Sequence, residues 1–167
     1  MSLQTHCKAL WRWCKFMASE MPISRSIALE STPTAIIEVC MWILSNLKAN
    51  GFSQEDIFAV HLALQEAFTN AIRHGNKMSP NKEVKIDYSV GLDKFEVSMT
   101  DEGEGFDPGA VPDPRYGDNL YKPEGRGLLL MRSYMDVVRF SERGNSVYMA
   151  RYRGKPQLTK SDGETQG

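Results

Sequence analysis

Gln65-Glu66-Ala67-Phe68-Thr69-Asn70-Ala71-Ile72-Arg73-His74-Gly75 is the stretch that decides the fold, because it reads as a helix with two different sides. At 100° per residue, Glu66, Asn70, Arg73 and His74 lie on one arc and the apolar residues on the other. A polar arc alone is typical of a solvated helix face. Asparagine is a poor residue for an exposed helix interior, however. An amide oxygen one turn from a carboxylate can hold a hard cation while the acid orients a nucleophile. The pattern therefore favours a site at Glu66 and Asn70, whereas His74 by itself fits a helix end favoured by the dipole.

A second informative stretch is Asp101-Glu102-Gly103-Glu104-Gly105-Phe106-Asp107, which leaves a predicted strand. Glycines here let a planar ligand approach the backbone closely, and the Asp101 carboxylate can accept a hydrogen bond from an adenine amino group. By itself, an acidic glycine-containing segment is more often an ordinary turn.

The third stretch is Gly125-Arg126-Gly127-Leu128, which opens a predicted helix. Free N–H groups at a helix start favour phosphate. The sequence contains no G-x-x-x-x-G-K-[ST] phosphate-binding loop, and Leu130 stands where a dinucleotide-binding fingerprint needs its third glycine.

The remaining periodicities predict a strand over 23–30, two helices, a hairpin over 84–100, a helix over 127–135 and a hairpin over 137–152. The first helix is expected to begin at Ser31-Thr-Pro33 with a hydroxyl cap, and the second at Ser53 with Asp56 completing a capping box. Residues 106–124 have little periodicity and predict a lid or a disordered segment. This order predicts an α+β two-layer sandwich, with a mixed, mostly antiparallel sheet and the helices on one face. The expected division is an N-terminal helical extension at 1–21, a domain at 22–153 and a flexible tail at 154–167.

Composition limits the class of protein. The 167 residues are 41% hydrophobic and 25% charged, with a net charge of -1, as in a soluble globule with no basic field for nucleic acid or membrane. No apolar run approaches the roughly 18 residues that suggest a membrane span. Cys7, Cys14 and Cys40 are expected to be reduced cysteines of a cytoplasmic protein, and a metal site at His6, Cys7 and Cys14 is the less favoured alternative.

Together, the three motifs and the segment before the third resemble the Bergerat ATP-binding fold of the GHKL superfamily. The residues at 65–75, 101–107 and 125–131 most resemble those of the anti-sigma-factor serine/threonine kinases, and the resemblance covers about 22–153. It implies that Glu66 is a general base and that Asn70 holds Mg²⁺. It also implies that Asp101 recognises adenine, with Gly103 leaving space beside it, and that Gly125 and Gly127 bind phosphates. Further expected nucleotide contacts are Arg73, His74, Gly105, Phe106, Lys122, Arg126, Leu128 and Ser146, with Arg115 as a weaker candidate.

The resemblance also implies a function. The chain would bind ATP and Mg²⁺ and phosphorylate a serine or threonine of a STAS-domain anti-anti-sigma protein. It would also sequester a sigma factor or another regulatory protein. The protein is expected to be a cytoplasmic homodimer that binds neither nucleic acid nor membrane directly.

Two other functions remain open from the residues alone. One alternative is an ATP-responsive switch that binds partners without phosphoryl transfer. The other is an isolated catalytic domain of a histidine kinase. The presence of Glu66 argues against the first alternative, because a pure binder needs no base. Against the second, no helical hairpin with a phosphoacceptor histidine is expected before residue 22.

Overall fold

The computed structural model describes residues 22–107, 109–110 and 126–155. In chain order the elements are β1 (Ile23–Glu30), α1 (Ile36–Ala49), α2 (Gln54–Asn70), a π-helical turn (Ala71–Gly75), β2 (Glu83–Val90), β3 (Lys94–Asp101), α3 (Arg126–Tyr134), β4 (Val137–Phe140) and β5 (Ser146–Tyr152). The expected extension, most of the expected lid and nearly all of the expected tail lie outside the described residues. The three-part division of the chain therefore stays a prediction.

The five strands form one sheet in the order β1-β2-β3-β5-β4. All the strand pairs in the described part of the chain are antiparallel, so the sheet is more uniform than the mixed, mostly antiparallel sheet expected. The two predicted hairpins account for two of these pairs, β2 with β3 and β4 with β5. Because β3 pairs with β5, the end of β3 lies beside the turn that joins β4 to β5.

One face of the sheet is buried under the helices, which confirms the α+β two-layer arrangement. Burial alternates along β2 and β3, as expected for strands with one face on a core. Fully buried side chains of the sheet pack with those of α1 and α2 in a single cluster, which includes Ile86, Phe95, Met99, Ile43, Leu47, Leu64 and Phe68. The helix α2 is therefore held rigidly over the sheet, with its C-terminal end directed toward the end of β3.

The start of α2 confirms the predicted capping box. The Ser53 hydroxyl accepts a hydrogen bond from the Asp56 backbone N–H at 3.0 Å, and the Asp56 carboxylate accepts one from the Ser53 N–H at 3.2 Å. These bonds satisfy donors that a helix start otherwise leaves without partners.

The predicted hydroxyl cap of α1 is wrong. The helix begins at Ile36 after Ala35, which makes no side-chain cap hydrogen bond. Ser31 is buried instead, and its hydroxyl donates to the Lys82 carbonyl at 2.7 Å. Ser31 therefore makes a hydrogen bond to a residue distant in the chain and does not cap α1.

The end of α2 differs from a regular helix. It continues directly into the π-helical turn Ala71–Gly75, after which the Asn76 N–H donates to the Ala71 carbonyl five residues earlier, at 2.7 Å. Single π turns occur frequently at functional sites. Here the wide turn brings Gly75 to the end of β3.

Within the described residues, no helix has the length and apolar character that crossing a lipid bilayer requires.

Candidate nucleotide-binding site

The end of β3 contacts the π-helical turn through two glycines. A Cβ atom added to Gly75 would overlap the Asp101 carboxylate, and one added to Gly103 would overlap the Gly75 carbonyl. The Gly103 N–H donates to Asp101 Oδ1 at 2.8 Å. The carboxylate is therefore held in one orientation between a helix end and a turn, and only glycine fits on either side of it.

The environment of Asp101 perturbs its ionisation. Burial raises the pKa of the Asp101 carboxyl above its ordinary value, although the Gly103 N–H and the charges of Lys82 and Arg143 act in the opposite direction. A half-buried carboxyl of this kind has a strong need for a hydrogen-bond donor. This property suits recognition of an amino group on a planar ligand.

The second part of the site joins α2 to the start of α3. A Cβ atom added to Gly127 would overlap Glu66 Oε2 and would lie 3.6 Å from Asn70 Nδ2. The first turn of α3 therefore lies directly against the acid and the amide that the sequence singles out. A helix start leaves N–H groups without intrahelical partners and in general favours anions, and the start of α3 lies beside these two side chains.

The other expected residues near α3 have different environments. Arg126 is exposed at the first position of the helix, whereas Leu128 is 8% exposed and belongs to the hydrophobic core. The side chain of Leu128 therefore anchors α3, and only its backbone is available to a ligand. Lys122, Gly125 and Arg115 lie outside the described residues.

Arg73 and His74 are both exposed on the π-helical turn. They lie between Asn70 and Gly75 in the chain, and both are open to solvent. Their expected contacts with nucleotide stay predictions.

Gly105 and Phe106 pack against the β4–β5 hairpin, and these contacts account for the residue types at both positions. Gly105 has φ +84°, and a Cβ atom there would overlap the Arg143 carbonyl. The Arg143 guanidinium in turn donates to the Gly103 carbonyl at 3.0 Å and to the Glu104 carbonyl at 3.3 Å. Phe106 is exposed and packs edge-on against Phe140, with ring centroids 5.6 Å apart. These contacts fix the path of the chain that leaves Asp101.

The location of Ser146 does not support its expected place near adenine. Ser146 pairs with Thr100, and the two hydroxyls are 2.8 Å apart. Successive side chains of a strand point to opposite faces. Met99 is in the core, so Thr100 and Ser146 lie on the open face of the sheet while Asp101 lies on the helix side.

Asn145 contacts Asp101 where Ser146 does not. The Asn145 amide donates to the Asp101 carbonyl at 3.0 Å, and the Asp101 N–H donates to the Asn145 carbonyl at 3.0 Å. Sequence reasoning missed Asn145, Arg143 and Gly75 as residues of the site. Gly75 directly follows the polar arc of the helix, which is a signal for it, whereas no pattern in the predicted hairpin at 137–152 distinguishes Asn145.

The donor set fits a nucleotide and a hard cation. A side chain at Gly75 would collide with the Asp101 carboxylate, and one at Gly127 would collide with the Glu66 carboxylate. Among the described residues no group of three His, Cys, Asp or Glu side chains could hold a metal. One asparagine amide combined with phosphate oxygens is the type of site that Mg²⁺ uses, since it is usually bound with substrate phosphates rather than in a protein cage.

Comparisons with known proteins agree with this geometry. The family model described as "Histidine kinase-like ATPase domain" matches residues 29–151. The serine-protein kinase RsbW of Bacillus licheniformis is 33% identical over 125 residues, which is 69% of this chain and 75% of that protein. The RsbW of Bacillus subtilis strain 168 is 34% identical over 109 residues, or 61% of this chain and 68% of that protein.

A solved structure gives the same fold. The RsbU and RsbW domains of Rv1364c from Mycobacterium tuberculosis superpose with a TM-score of 0.54 at 17% identity. The match covers 78% of this chain and 31% of that chain, so this chain spans about a third of that longer protein.

The chain therefore belongs to the histidine kinase-like ATPase domain family. The two parts of the site described above contain the motifs by which the sequence resembled ATP-binding members of that group. Within that group, the chain belongs with the serine-protein kinases named RsbW.

Proposed function

We propose that this kinase binds Mg²⁺-ATP and phosphorylates a serine or threonine of a STAS-domain anti-anti-sigma protein. The observation that carries the proposal is the contact of Gly127 with Glu66 and Asn70, because a helix start, which favours anions, lies there beside an acid and an amide. A pure nucleotide-binding switch has no need of a carboxylate at that position.

The nucleotide is proposed to extend between the two parts of the site. Asp101 accepts the hydrogen bond of the adenine amino group, while the Gly103 N–H holds the carboxylate in place. Phosphates bind at the start of α3, beside Gly127 and Arg126. Asn70 would provide the side-chain ligand of Mg²⁺, which would neutralise part of the phosphate charge.

Glu66 is the proposed general base. The hydroxyl oxygen of the partner's serine or threonine forms a bond to the γ-phosphorus, and the bond from that phosphorus to the β–γ bridging oxygen breaks. The hydroxyl proton passes to the Glu66 carboxylate, and ADP leaves with the electron pair of the broken bond. Catalysis of this kind depends mostly on positioning and electrostatics, which a rigid α2 provides.

The regulatory part of the proposal follows from the family. As an anti-sigma factor, the chain would hold a sigma factor or another regulatory protein and exchange it for the STAS-domain protein. A homodimer and a cytoplasmic location belong to the same proposal, as does the absence of direct contact with nucleic acid.

The test uses labelled ATP, Mg²⁺ and a STAS-domain protein encoded near this chain. Wild type should transfer the label, and Glu66→Gln should lose most of the transfer while it still binds ATP. Gln65→Ala is the matched control, because Gln65 is exposed on the same helix and outside the site. A wild-type protein that binds ATP and the STAS-domain protein but transfers nothing would favour a nucleotide-responsive switch instead.

A further inference from the structure

Asn76 is a buried polar side chain directly beside the site, and the roles proposed above do not use it. It is 1% exposed and follows the π-helical turn. Its amide donates to the Ser31 hydroxyl at 2.8 Å and to the Glu83 carbonyl at 2.9 Å, and its oxygen accepts from the Glu102 N–H at 2.8 Å.

These three partners belong to three different strand ends. Ser31 follows β1, Glu83 begins β2, and Glu102 follows β3. Ser31 also donates to the Lys82 carbonyl at 2.7 Å, which extends the network to the loop before β2. One side chain therefore joins the end of the α2 segment to the edge of the sheet where the site lies.

The bond to Glu102 is the one that reaches the site. Glu102 lies between Asp101 and Gly103, so its N–H belongs to the turn that carries the Asp101 carboxylate. Gly75, the residue before Asn76, packs against the same carboxylate. Residues 75 and 76 thus set both the space beside Asp101 and the path of the backbone after it.

The buried amide of Asn76 requires hydrogen-bond partners at fixed positions, which a buried apolar side chain would not. A buried amide is costly unless it is fully hydrogen-bonded, and satisfied networks of this kind specify one geometry. The described structure leaves no buried side-chain polar atom without a partner, so the Asn76 network is complete there.

We propose that Asn76 is a positioning residue for adenine recognition, which holds the Asp101 turn so that the carboxylate meets the amino group of the base. This inference rests on the proposed role of Asp101. Asn76 itself does not touch the nucleotide.

The experiment compares ATP with purine riboside triphosphate, which lacks the amino group but keeps the ring and the phosphates. Binding of each is measured by calorimetry with wild type, Asn76→Ala and Ser31→Ala. Ser31→Ala is the matched control, because it removes a partner from the other end of the same amide and leaves the Glu102 bond possible. Wild type should prefer ATP by roughly tenfold or more, the scale of a hydrogen bond to a charged group.

For Asn76→Ala we expect the ATP preference to fall to within about threefold of unity, while affinity for the analogue changes little. Ser31→Ala should melt at a lower temperature than wild type but keep the preference. If Asn76→Ala fails to fold, Asn76→Ser takes its place with the same expected loss, because its shorter side chain does not reach Glu102.

Two results would overturn the inference, and they are distinguishable. An Asn76 variant that melts at a lower temperature yet keeps the full ATP preference would show that Asn76 only stabilises the fold. A wild type with no preference for ATP over the analogue would instead remove the proposed role of Asp101, and the positioning role with it.

Discussion

Gly127 lies so close to Glu66 that a single added methyl group would overlap the carboxylate. This contact joins the two helices that form the phosphate end of the site. It also means that the position of the proposed base depends on the absence of a side chain at residue 127.

The first prediction concerns Gly127→Ala. The new methyl group should displace Glu66 and lower the rate of phosphoryl transfer at least about tenfold, which corresponds to about 1.4 kcal/mol in the barrier. Alanine favours a helix over glycine by up to about 1 kcal/mol, so the free energy of unfolding should not fall greatly. Transfer assays and thermal unfolding of Gly127→Ala and of Ser133→Ala, an exposed substitution in the same helix, check this. Equal transfer rates in the two variants would contradict the role of the contact.

The second prediction concerns ATP affinity in Asp101→Asn. The amide keeps an acceptor for the Gly103 N–H but loses the charge that favours the adenine amino group. We expect ATP binding to weaken by about 1–3 kcal/mol, the scale of a hydrogen bond to a charged group. Calorimetry with ATP measures it, and an unchanged dissociation constant would be inconsistent with adenine recognition by Asp101.

The third prediction is that the same substitution stabilises the protein without nucleotide. Burial raises the pKa of Asp101 in the folded state, so ionisation costs stability that grows as the pH rises past the unfolded pKa and is complete above the folded pKa. Asp101→Asn should therefore unfold at a higher denaturant concentration than wild type at pH 7. The advantage should shrink as the pH falls toward about 3.9, the ordinary pKa of aspartate. A variant less stable than wild type at pH 7 would mean that the lost hydrogen bonds outweigh the removed charge.

The fourth prediction concerns the buried ion pair of Arg151 and Asp56. Their atoms Nη2 and Oδ1 are 2.7 Å apart, and both side chains are almost fully buried. Burial alone would raise the pKa of Asp56, but hydrogen bonds from Ser53, Arg151 and the Gly154 backbone outweigh it and lower the pKa. The stability from this pair is present above the unfolded pKa of about 3.9 and is lost as the pH falls through the lower folded value.

We expect Arg151→Met to cost about 3–5 kcal/mol in the free energy of unfolding, because it leaves a buried carboxylate without its cation. Adding Asp56→Asn should recover part of that loss. Arg153→Met is the control, since its partner Asp93 is exposed and a surface pair of this kind contributes less than about 1 kcal/mol. Denaturant unfolding of the three variants at pH 7 measures these differences, and equal losses at residues 151 and 153 would contradict the role given to burial.

Local patterns were sufficient for most of the fold. The capping box at Ser53 depends on residues three apart, and the hairpins depend on short alternating strands, so both could be predicted from the sequence. The pairing of Glu66 with Asn70 could be predicted for the same reason, because both residues lie one turn apart on one helix. Their proximity to Gly127 needed the resemblance to a known family, since nothing local joins residue 66 to residue 127.

The residues that sequence reasoning missed depend on distant partners. Ser31 looked like a helix cap, but its partner Asn76 lies 45 positions away. The choice between Ser146 and Asn145 depends on the register of β3 with β5, because a shift of one residue moves a side chain to the other face. The local sequence around Ser31 does not specify its partner, and the local sequence around Ser146 does not specify the register of β3 with β5.

The π-helical turn has a consequence for how the gene can change. It contains one more residue than an α-helical turn needs, and that residue is part of the spacing between Asn70 and Gly75. Deleting any one residue from 71–74 would rotate Gly75 by about 100° around the helix axis and move it away from Asp101. Substitutions in this segment change single contacts, whereas a deletion of one codon would separate the two ends of the site.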